Sequence, residues 1–411
     1  MQKKLLIAIL TSSTLLLSAC HDDDHDSYVS GDSIPKNNIV NPVVMTTPYT
    51  LDDMSLFAAD SRLMTYKMLG VNNTEVQATA LVFTPKGVTP AGGWPIVVWA
   101  HGTTGVADQC APSKQGLQGN QYFIQKLLAA GYAVVAPDYE GLGEPSGLEL
   151  HPFLNLKSEA FSITDAVVAA YDYLGNKAEK RWVVVGHSQG GQAALGAAEY
   201  ASRANLNYEG VIAVAPASNL SLILSGGELK AEAESNLQKK IETLASLDTF
   251  TALITAGLRN PNPQLQYSQV FKSPTDLIAM RAESECYDLL GQDFGNAMGL
   301  YAYNHLGSLD GYPRTQPNFM TDIPVVNTFL STDSQPLQKK ITTPIYIYQG
   351  TADETVPRQV TDVLYQSAVN KGTKIQYITD DSATVKWTHS SVYVDNWDNI
   401  VLNVKTLMPI Q

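Results

Sequence analysis

Ser188 is the residue whose surroundings point most directly to chemistry. It lies in the pattern Gly-x-Ser-x-Gly, from Gly186 to Gly190, with a Val-Val-Val run before it and small residues after it. This order predicts a strand, a sharp turn and a helix, with glycines where the turn leaves no room for side chains. Such a turn exposes the serine hydroxyl at the carboxyl end of the strand, so we interpret Ser188 as a nucleophile.

A serine nucleophile needs a base that takes its proton and a carboxylate that orients the base. After this kind of turn, the acid and the histidine follow the serine in that order along the chain. We predict Asp353 as the acid, because it follows a late β run and precedes a helix; its neighbour Glu354 lies further from the strand end. We predict His389 as the base, because it is the one histidine of seven that comes after Asp353.

The same chemistry requires donors for a negatively charged oxygen. We predict the backbone amide of Gln189, at the start of the helix after the nucleophile, as one donor. The loop His-Gly-Thr-Thr-Gly follows a buried strand that ends at Ala100, and we predict the amide of Thr103 as the other donor. Asp138 and Tyr139 follow the next strand and are candidates for lining the substrate pocket.

The elements that must position these residues form an alternating series. Short apolar strands are predicted at 62–68, 75–83, 94–100, 132–137, 181–187 and 210–216, with helices at 120–130 and 158–174. Apolar strands that alternate with helices predict an α/β fold with a mainly parallel central sheet and helices on both faces.

The alternation stops after Ser218 and resumes near residue 342. The intervening segment has helical patterns at 228–247, 250–258 and 274–290, and strands return at 343–348 and 374–378. We therefore predict a core formed by residues 46–218 and 342–411, with a mostly helical cap at 219–341 inserted between late strands. In a sheet whose ligands bind at the carboxyl ends of the strands, such an insertion would cover the site.

Composition restricts the class of partner. The chain has 411 residues, of which 44% are apolar, and a formal net charge of −13. A polyanion without a basic cluster is a poor match for nucleic acid, and we expect no such partner. We expect a monomer.

The N-terminus resembles an export signal. Lys3 and Lys4 precede a short apolar run that ends in Leu-Ser-Ala-Cys at Cys20. This ending resembles a bacterial lipoprotein signal, which predicts removal of residues 1–19, acylation of Cys20 and attachment to the cell envelope, with His21 favouring the outer membrane. The stretch from His21 to about Pro42 is polar and lacks periodicity, which predicts a flexible tether over residues 20–45. Cys110 and Cys286 would then meet an oxidising compartment, either as one disulfide or as two buried thiols.

Several motifs together resemble the secretory lipase family, which includes fungal lipase A enzymes and bacterial relatives. The His-Gly-Thr-Thr-Gly loop is followed by Asp-Gln-Cys-Ala-Pro-Ser at 108–113, and Pro-Asp-Tyr-Glu-Gly-Leu-Gly at 137–143 and His-Pro-Phe at 151–153 fit the same family. The resemblance covers the core and is weaker in the cap. It implies an α/β-hydrolase fold, a Ser188–Asp353–His389 triad and a bridge between Cys110 and Cys286. It also implies that ester hydrolysis needs no metal and no cofactor.

The sequence thus predicts a serine hydrolase that cleaves carboxylic esters, either a lipase or a short-chain esterase, acting on a small-molecule or lipid ester. Two alternatives remain open at this stage. One is a serine peptidase or amidase on the same core, and the other is a catalytically inactive lipoprotein that binds a ligand in a hydrolase-shaped cleft.

Overall fold

The computed structural model describes residues 34–410. The predicted signal segment 1–19, the lipidation site Cys20 and most of the predicted tether lie outside this range. No helix within residues 34–410 has the length and apolar character needed to cross a membrane.

A nine-stranded sheet forms the centre of the described chain, in the order β1-β2-β3-β5-β4-β6-β7-β8-β9. The strands are β1 (Val43–Pro48), β2 (Ala58–Leu69), β3 (Glu75–Pro85), β4 (Trp94–Ala100), β5 (Ala133–Pro137), β6 (Ala178–His187), β7 (Asn207–Val214), β8 (Ile345–Gln349) and β9 (Ile375–Thr379). Strands β1 to β3 pair antiparallel, and β3 pairs antiparallel with β5. From β5 to β9 the pairing is parallel.

Helices cover both faces of this sheet and form the segment between β7 and β8. They are α1 (Pro112–Gln115), α2 (Gln121–Ala129), α3 (Leu156–Leu174), α4 (Gln189–Tyr200), α5 (Leu220–Ala233), α6 (Leu237–Arg259), α7 (Tyr267–Val270), α8 (Thr275–Ala279), α9 (Tyr287–Asn304), α10 (Phe319–Asp322), α11 (Pro324–Thr328), α12 (Arg358–Asn370), α13 (Ser391–Val394) and α14 (Trp397–Leu407).

Alternate side chains of the central strands enter two separate cores. Val98 and Val184 pack with residues of α3, α4 and α12 on one face. Val97 and Val183 pack with residues of α2 and α14 on the other face. All four valines are fully buried, as expected for parallel strands that are covered on both sides. The α/β-hydrolase fold predicted from the sequence is confirmed.

The segment between β7 and β8 has its own apolar cluster, which includes Leu253, Phe271 and Phe294. This cluster extends to Phe153 and Leu154 in the loop before α3, so the helical segment packs on the core near the carboxyl ends of the strands. Burying side chains of this size stabilises the structure by about 1.5–3 kcal/mol each.

The predicted helix boundaries in this segment are wrong. The single helix predicted at 228–247 is interrupted after Ala233, where Glu234 adopts an extended backbone conformation. The Asn236 side chain accepts a hydrogen bond from the amide of Lys239 and starts α6, which then runs through the separately predicted 250–258 segment. The stretch predicted at 274–290 is instead α8, a 3₁₀ turn and the start of α9. Local capping outweighs apolar periodicity here.

The predicted tether is too long at its C-terminal end. Strand β1 begins at Val43, and the side chain of Asn37 donates a hydrogen bond to Asp165 at 2.9 Å. The Asp165 carboxylate also pairs with Arg203, whose guanidinium donates to the carbonyl of Pro35 at 2.7 Å. A buried ion pair therefore fixes this segment to the core, an anchor that the polar composition does not indicate.

The order of the strands places the candidate catalytic residues together. The chain passes from β4 to β5 on one side and then to β6 on the other side of β4, so the strand order changes direction at β4. In open α/β sheets, ligands bind at the carboxyl ends of the strands at such a point. Gly102 follows β4 there, and Ser188 follows β6.

Candidate active site

The turn that carries Ser188 has a strained backbone. Ser188 has φ 59° and ψ −120°, between the end of β6 and the first residue of α4. A Cβ atom on Gly186 would overlap the carbonyl of Gly190, and a Cβ on Gly190 would overlap the carbonyl of Ala100. The two glycines therefore let the helix, the elbow and β4 approach closely. Such backbone strain costs on the order of 1–3 kcal/mol and is often found at functional sites.

Three predicted side chains are joined by hydrogen bonds. The Oγ of Ser188 lies 2.9 Å from Nε2 of His389. The other ring nitrogen of His389, Nδ1, lies 2.8 Å from Oδ2 of Asp353. A neutral imidazole that donates from Nδ1 to the carboxylate has its Nε2 lone pair free to accept the serine proton. This is the geometry required for a nucleophile, its base and the group that orients the base.

Asp353 is held by its own loop. Its Oδ1 accepts from the amides of Thr355 at 2.9 Å and Val356 at 2.8 Å, while Nε2 of Gln349 lies 3.2 Å from Oδ2. The rival carboxylate, Glu354, points away from the site; its side chain is 79% exposed and pairs with Lys230. Because the Asp353 carboxylate is fully buried while Glu354 is solvated, the geometry distinguishes the two acids.

Asp380, which sequence reasoning missed, joins the loops of the acid and the base. Its carboxylate accepts from the amide and hydroxyl of Thr351, each at 3.0 Å, and from the amide of Trp387. Although burial opposes it, these hydrogen bonds lower the pKa of Asp380. The position of Asp380 directly after β9 could have indicated such a role.

His187 is a second residue that the sequence argument left without a role. Its Nε2 lies 2.8 Å from the backbone carbonyl of His389, and its ring stacks on Tyr393. Burial, with the nearby His389, lowers the pKa of His187 to about 3, so the ring is neutral at neutral pH. Because the contact is a carbonyl, Nε2 carries the proton and donates it.

The predicted oxyanion donors flank the nucleophile. A Cβ atom on Gly102 would lie 3.8 Å from Cβ of Ser188, so the loop after β4 runs directly beside the elbow. Thr103, Gln189 and Ser188 line one cavity. Among the described residues 34–410, neither the Thr103 amide nor the Gln189 amide donates a hydrogen bond to a backbone carbonyl in a turn, loop or helix cap.

Comparison with known proteins is consistent with this architecture. The profile of the Alpha/beta hydrolase family matches residues 97–376. The chain belongs to this family. No curated protein matches the chain.

Solved structures of an esterase and a lipase share the fold. The rice cell wall degrading esterase LipA from Xanthomonas oryzae is 19% identical, with a TM-score of 0.64 over 89% of this chain and 97% of LipA. Lipase A from Candida antarctica, in its closed state, is 16% identical, with a TM-score of 0.66 over 89% of this chain and 82% of the lipase.

Two predicted pocket residues are corrected within this hydrolase core. The Asp138 carboxylate is fully buried, accepts from the amide of Ser113 at 2.9 Å and from the hydroxyl of Thr79 at 2.6 Å, and does not line the cavity beside Ser188. Burial raises the pKa of Asp138 to about 6. Asp138 therefore supports the loop that contains α1.

Tyr139 is also buried rather than exposed to substrate. Its ring stacks on His101 at 4.2 Å between centroids, and its hydroxyl donates to the carbonyl of His101 at 3.0 Å. Burial lowers the pKa of His101 to about 4. Tyr139 and His101 therefore support the loop that carries Thr103, and the pocket prediction for Tyr139 is wrong.

A buried polar network lies beneath the elbow. The side-chain amide of Gln189 contacts Nε2 of His151 at 2.9 Å and Oε1 of Glu159 at 2.7 Å. Nδ1 of His151 donates to the carbonyl of Glu140 at 2.8 Å, which leaves Nε2 as an acceptor for the Gln189 amide. The network fixes the residue whose amide follows the nucleophile.

The disulfide that the resemblance implied is present. Cys110 and Cys286 are bonded, with their Cα atoms 5.4 Å apart and 176 positions apart in sequence. The amide of Tyr287 donates to the carbonyl of Thr104 at 2.9 Å beside this bridge. A covalent bond and a hydrogen bond thus hold the start of α9 against the loop after β4.

Apolar side chains enclose the space in front of Ser188. This cavity has a volume of about 40 Å³. Besides Ser188, Gln189 and Thr103 it is lined by Leu154, Ala217, Leu220, Ile223, Leu224, Phe250, Ile254, Thr355 and Val356. Five of the twelve lining residues come from α5 and α6, which sequence reasoning placed in a cap without naming pocket residues.

Proposed function

We propose that this alpha/beta hydrolase is a serine carboxylic-ester hydrolase that acts through an acyl-enzyme on Ser188. The observation that carries the proposal is the pair of hydrogen bonds that join Ser188 to His389 and His389 to Asp353. An esterase and a lipase among the structural neighbours agree with ester hydrolysis. The apolar cavity in front of Ser188 suits an acyl group.

Acylation begins when His389 Nε2 takes the hydroxyl proton and Ser188 Oγ bonds to the ester carbonyl carbon. The carbonyl π electrons move to its oxygen, and the amides of Thr103 and Gln189 donate hydrogen bonds to that oxyanion. Asp353 keeps the imidazole in the tautomer with a proton on Nδ1 and stabilises the imidazolium. When the oxyanion collapses, the bond to the alcohol oxygen breaks and His389 protonates the departing alcohol.

Deacylation repeats these steps with water. His389 takes a proton from water as its oxygen bonds to the acyl carbon, and a second oxyanion forms against the same two amides. Collapse breaks the bond to Ser188 Oγ, which regains its proton from His389. The acid product leaves and the triad returns to its initial state.

The test is the replacement of Ser188 in the full chain. We expect Ser188→Ala to lower kcat/KM for p-nitrophenyl acetate by at least about 10⁴-fold, because both covalent steps are lost. Ser202→Ala, at an exposed serine remote from the site, is the matched control and should retain activity. Retention of more than a trace of activity in folded Ser188→Ala would refute the proposal.

Two further measurements separate the alternatives. A fluorophosphonate probe should label the native chain and not Ser188→Ala, whereas an inactive binding protein would not be labelled in either form. When an ester and an amide of the same acid are compared, the ester should be hydrolysed faster. Faster turnover of the amide would identify a peptidase or amidase on the same triad.

We also propose membership in the secretory lipase group and attachment to the cell envelope through Cys20. The Asp-Gln-Cys-Ala-Pro-Ser loop supports the first proposal, and the N-terminal pattern that ends at Cys20 supports the second. Metabolic labelling with a palmitate analogue should mark the native chain and not Cys20→Ser. Labelling that persists in Cys20→Ser would contradict the anchor.

A further inference from the structure

A small cavity and a larger groove that is open to solvent lie close to each other in the helical segment. The cavity in front of Ser188 has a volume of about 40 Å³. A groove between α6 and α9 has a volume of about 920 Å³ and is lined by residues that include Ser246 and Tyr287. On α6, Ser246 lines the groove and Phe250, one turn later, lines the cavity, so the two spaces come close at this point.

A pair of aromatic rings separates them. Phe250 forms part of the cavity wall, Tyr287 forms part of the groove wall, and their ring centroids lie 5.4 Å apart. At this distance the rings are in contact. An acyl chain longer than the cavity would therefore have to displace Phe250 to extend into the groove.

Tyr287 is firmly placed behind Phe250. It directly follows Cys286, which is bonded to Cys110, and its amide donates to the carbonyl of Thr104. The disulfide and this hydrogen bond hold Tyr287 against the loop that carries Thr103. Phe250 consequently has a rigid partner behind it and cannot turn outward without losing the ring contact.

We propose that Phe250 determines acyl-chain length by confining the acyl group to the small cavity. This inference rests on the proposed ester hydrolase function. The cavity in front of Ser188 is small, about 40 Å³ against about 920 Å³ for the groove. The favoured substrates are therefore esters of short acids.

The groove has room for the remainder of a longer chain once the ring is removed. Gly291, Gly295 and Gly299 lie on one side of α9 and line the groove. A Cβ atom on Gly295 would meet its nearest neighbour, Ala245, at 3.9 Å, which is ordinary contact. A larger side chain at this position would therefore occupy groove space, and this supplies a means of closing the groove by substitution.

The experiment compares p-nitrophenyl esters from acetyl to dodecanoyl on the full chain. For the native protein, kcat/KM should fall by about tenfold or more between butanoyl and octanoyl esters, because the cavity cannot take the added methylenes. Phe250→Ala should raise the ratio of octanoyl to acetyl activity by about tenfold or more. Phe250→Leu should give an intermediate ratio.

Two further variants test which space receives the acyl chain of a longer substrate. Phe250→Ala combined with Gly295→Leu should return the profile toward short chains if the groove receives the acyl tail. Leu229→Ala, at an exposed leucine of α5, is the matched control and should leave the profile unchanged. Thermal unfolding of each variant confirms that the compared proteins are folded.

Equal activity of the native chain on acetyl and octanoyl esters would overturn the inference even if Phe250→Ala did not fold. An unchanged profile in folded Phe250→Ala or Phe250→Leu would also overturn it. These outcomes differ from failure of the proposed function, in which native protein and Ser188→Ala would hydrolyse p-nitrophenyl acetate equally. The two proposals can therefore fail separately.

Discussion

Nε2 of His187 lies 2.8 Å from the backbone carbonyl of His389, so the residue before the nucleophile also holds the loop that carries the imidazole. The two rings lie 4.6 Å apart between centroids, and the ring of Tyr393 stacks on His187 at 5.0 Å. The elbow therefore positions two members of the proposed triad at once. It supplies Ser188 directly and fixes the backbone of His389 through its neighbour.

We expect His187→Ala to lower kcat for a short ester by about 10- to 100-fold with a small change in KM. The loss follows because the imidazole loop gains freedom, and small misplacements of a catalytic group are costly. Steady-state kinetics on p-nitrophenyl acetate measure the two parameters separately.

His187→Gln is the conservative control, since a glutamine amide can still donate to the His389 carbonyl. It should recover a large part of kcat. If His187→Ala were as active as the native protein, the hydrogen bond would have no positioning role. If kcat fell equally in His187→Ala and His187→Gln, and both variants were equally stable, the loss would come from the packing of the His187 ring instead.

Asp353→Asn should lower kcat by about 10³- to 10⁴-fold while leaving the fold intact. An amide at this position can donate to Nδ1 of His389, which favours the tautomer that cannot accept the serine proton. The matched control is Glu354→Gln, at the neighbouring exposed carboxylate, and it should be nearly as active as the native chain. The reverse order of the two effects would make Glu354 the catalytic acid.

The positions of Ser188, Asp353 and His389 could be predicted because local rules and chain order decide them. The close approach at Gly186 and Gly190 permits only glycine. The Gly-x-Ser-x-Gly pattern therefore directly indicates the backbone conformation around Ser188. His389 follows from order alone, because no other histidine lies after Asp353. Parallel strands then bring these distant positions to one edge of the sheet.

The rest depends on packing that a linear pattern does not contain. Asp138 and Tyr139 follow a strand as catalytic residues do, but hydrogen bonds from Thr79 and to His101 hold them inside the core. The size of the cavity beside Ser188 depends on which side of α6 faces it, and helix boundaries in this segment are set by caps such as Asn236. Neither the side of α6 that faces Ser188 nor the helix caps can be predicted from the periodicity of apolar residues.

Reduction of the Cys110–Cys286 bridge should lower the free energy of unfolding by about 2–4 kcal/mol. The bridge closes a long loop of the unfolded chain and ties α9 to the loop after β4. Denaturant unfolding with and without reductant measures the change. The Cys110→Ser/Cys286→Ser variant is the control, and its stability should not respond to reductant. Equal stability of the oxidised and reduced native chain would contradict the prediction.

Asp138→Asn tests the structural role of a carboxylate that sequence reasoning placed in the pocket. Burial raises the pKa of Asp138 from 3.8 to about 6 in the folded chain. Between these values the unfolded chain has released the proton and the folded chain still holds it, so this group lowers stability as pH rises from about 4 to 6. The penalty is complete above pH 6 and absent well below pH 4.

Asparagine has no proton to release, and its carbonyl can still accept from the Ser113 amide. Relative to the native chain, Asp138→Asn should therefore gain about 2 kcal/mol of unfolding free energy between pH 4 and pH 8. Denaturant unfolding at both pH values measures this difference. Ester hydrolysis at pH 8 should be nearly unchanged, because Asp138 does not line the cavity. A stability difference between Asp138→Asn and the native chain that is the same at both pH values would contradict the raised pKa of Asp138. A large loss of activity in the folded variant would indicate that Asp138 contributes to the substrate site.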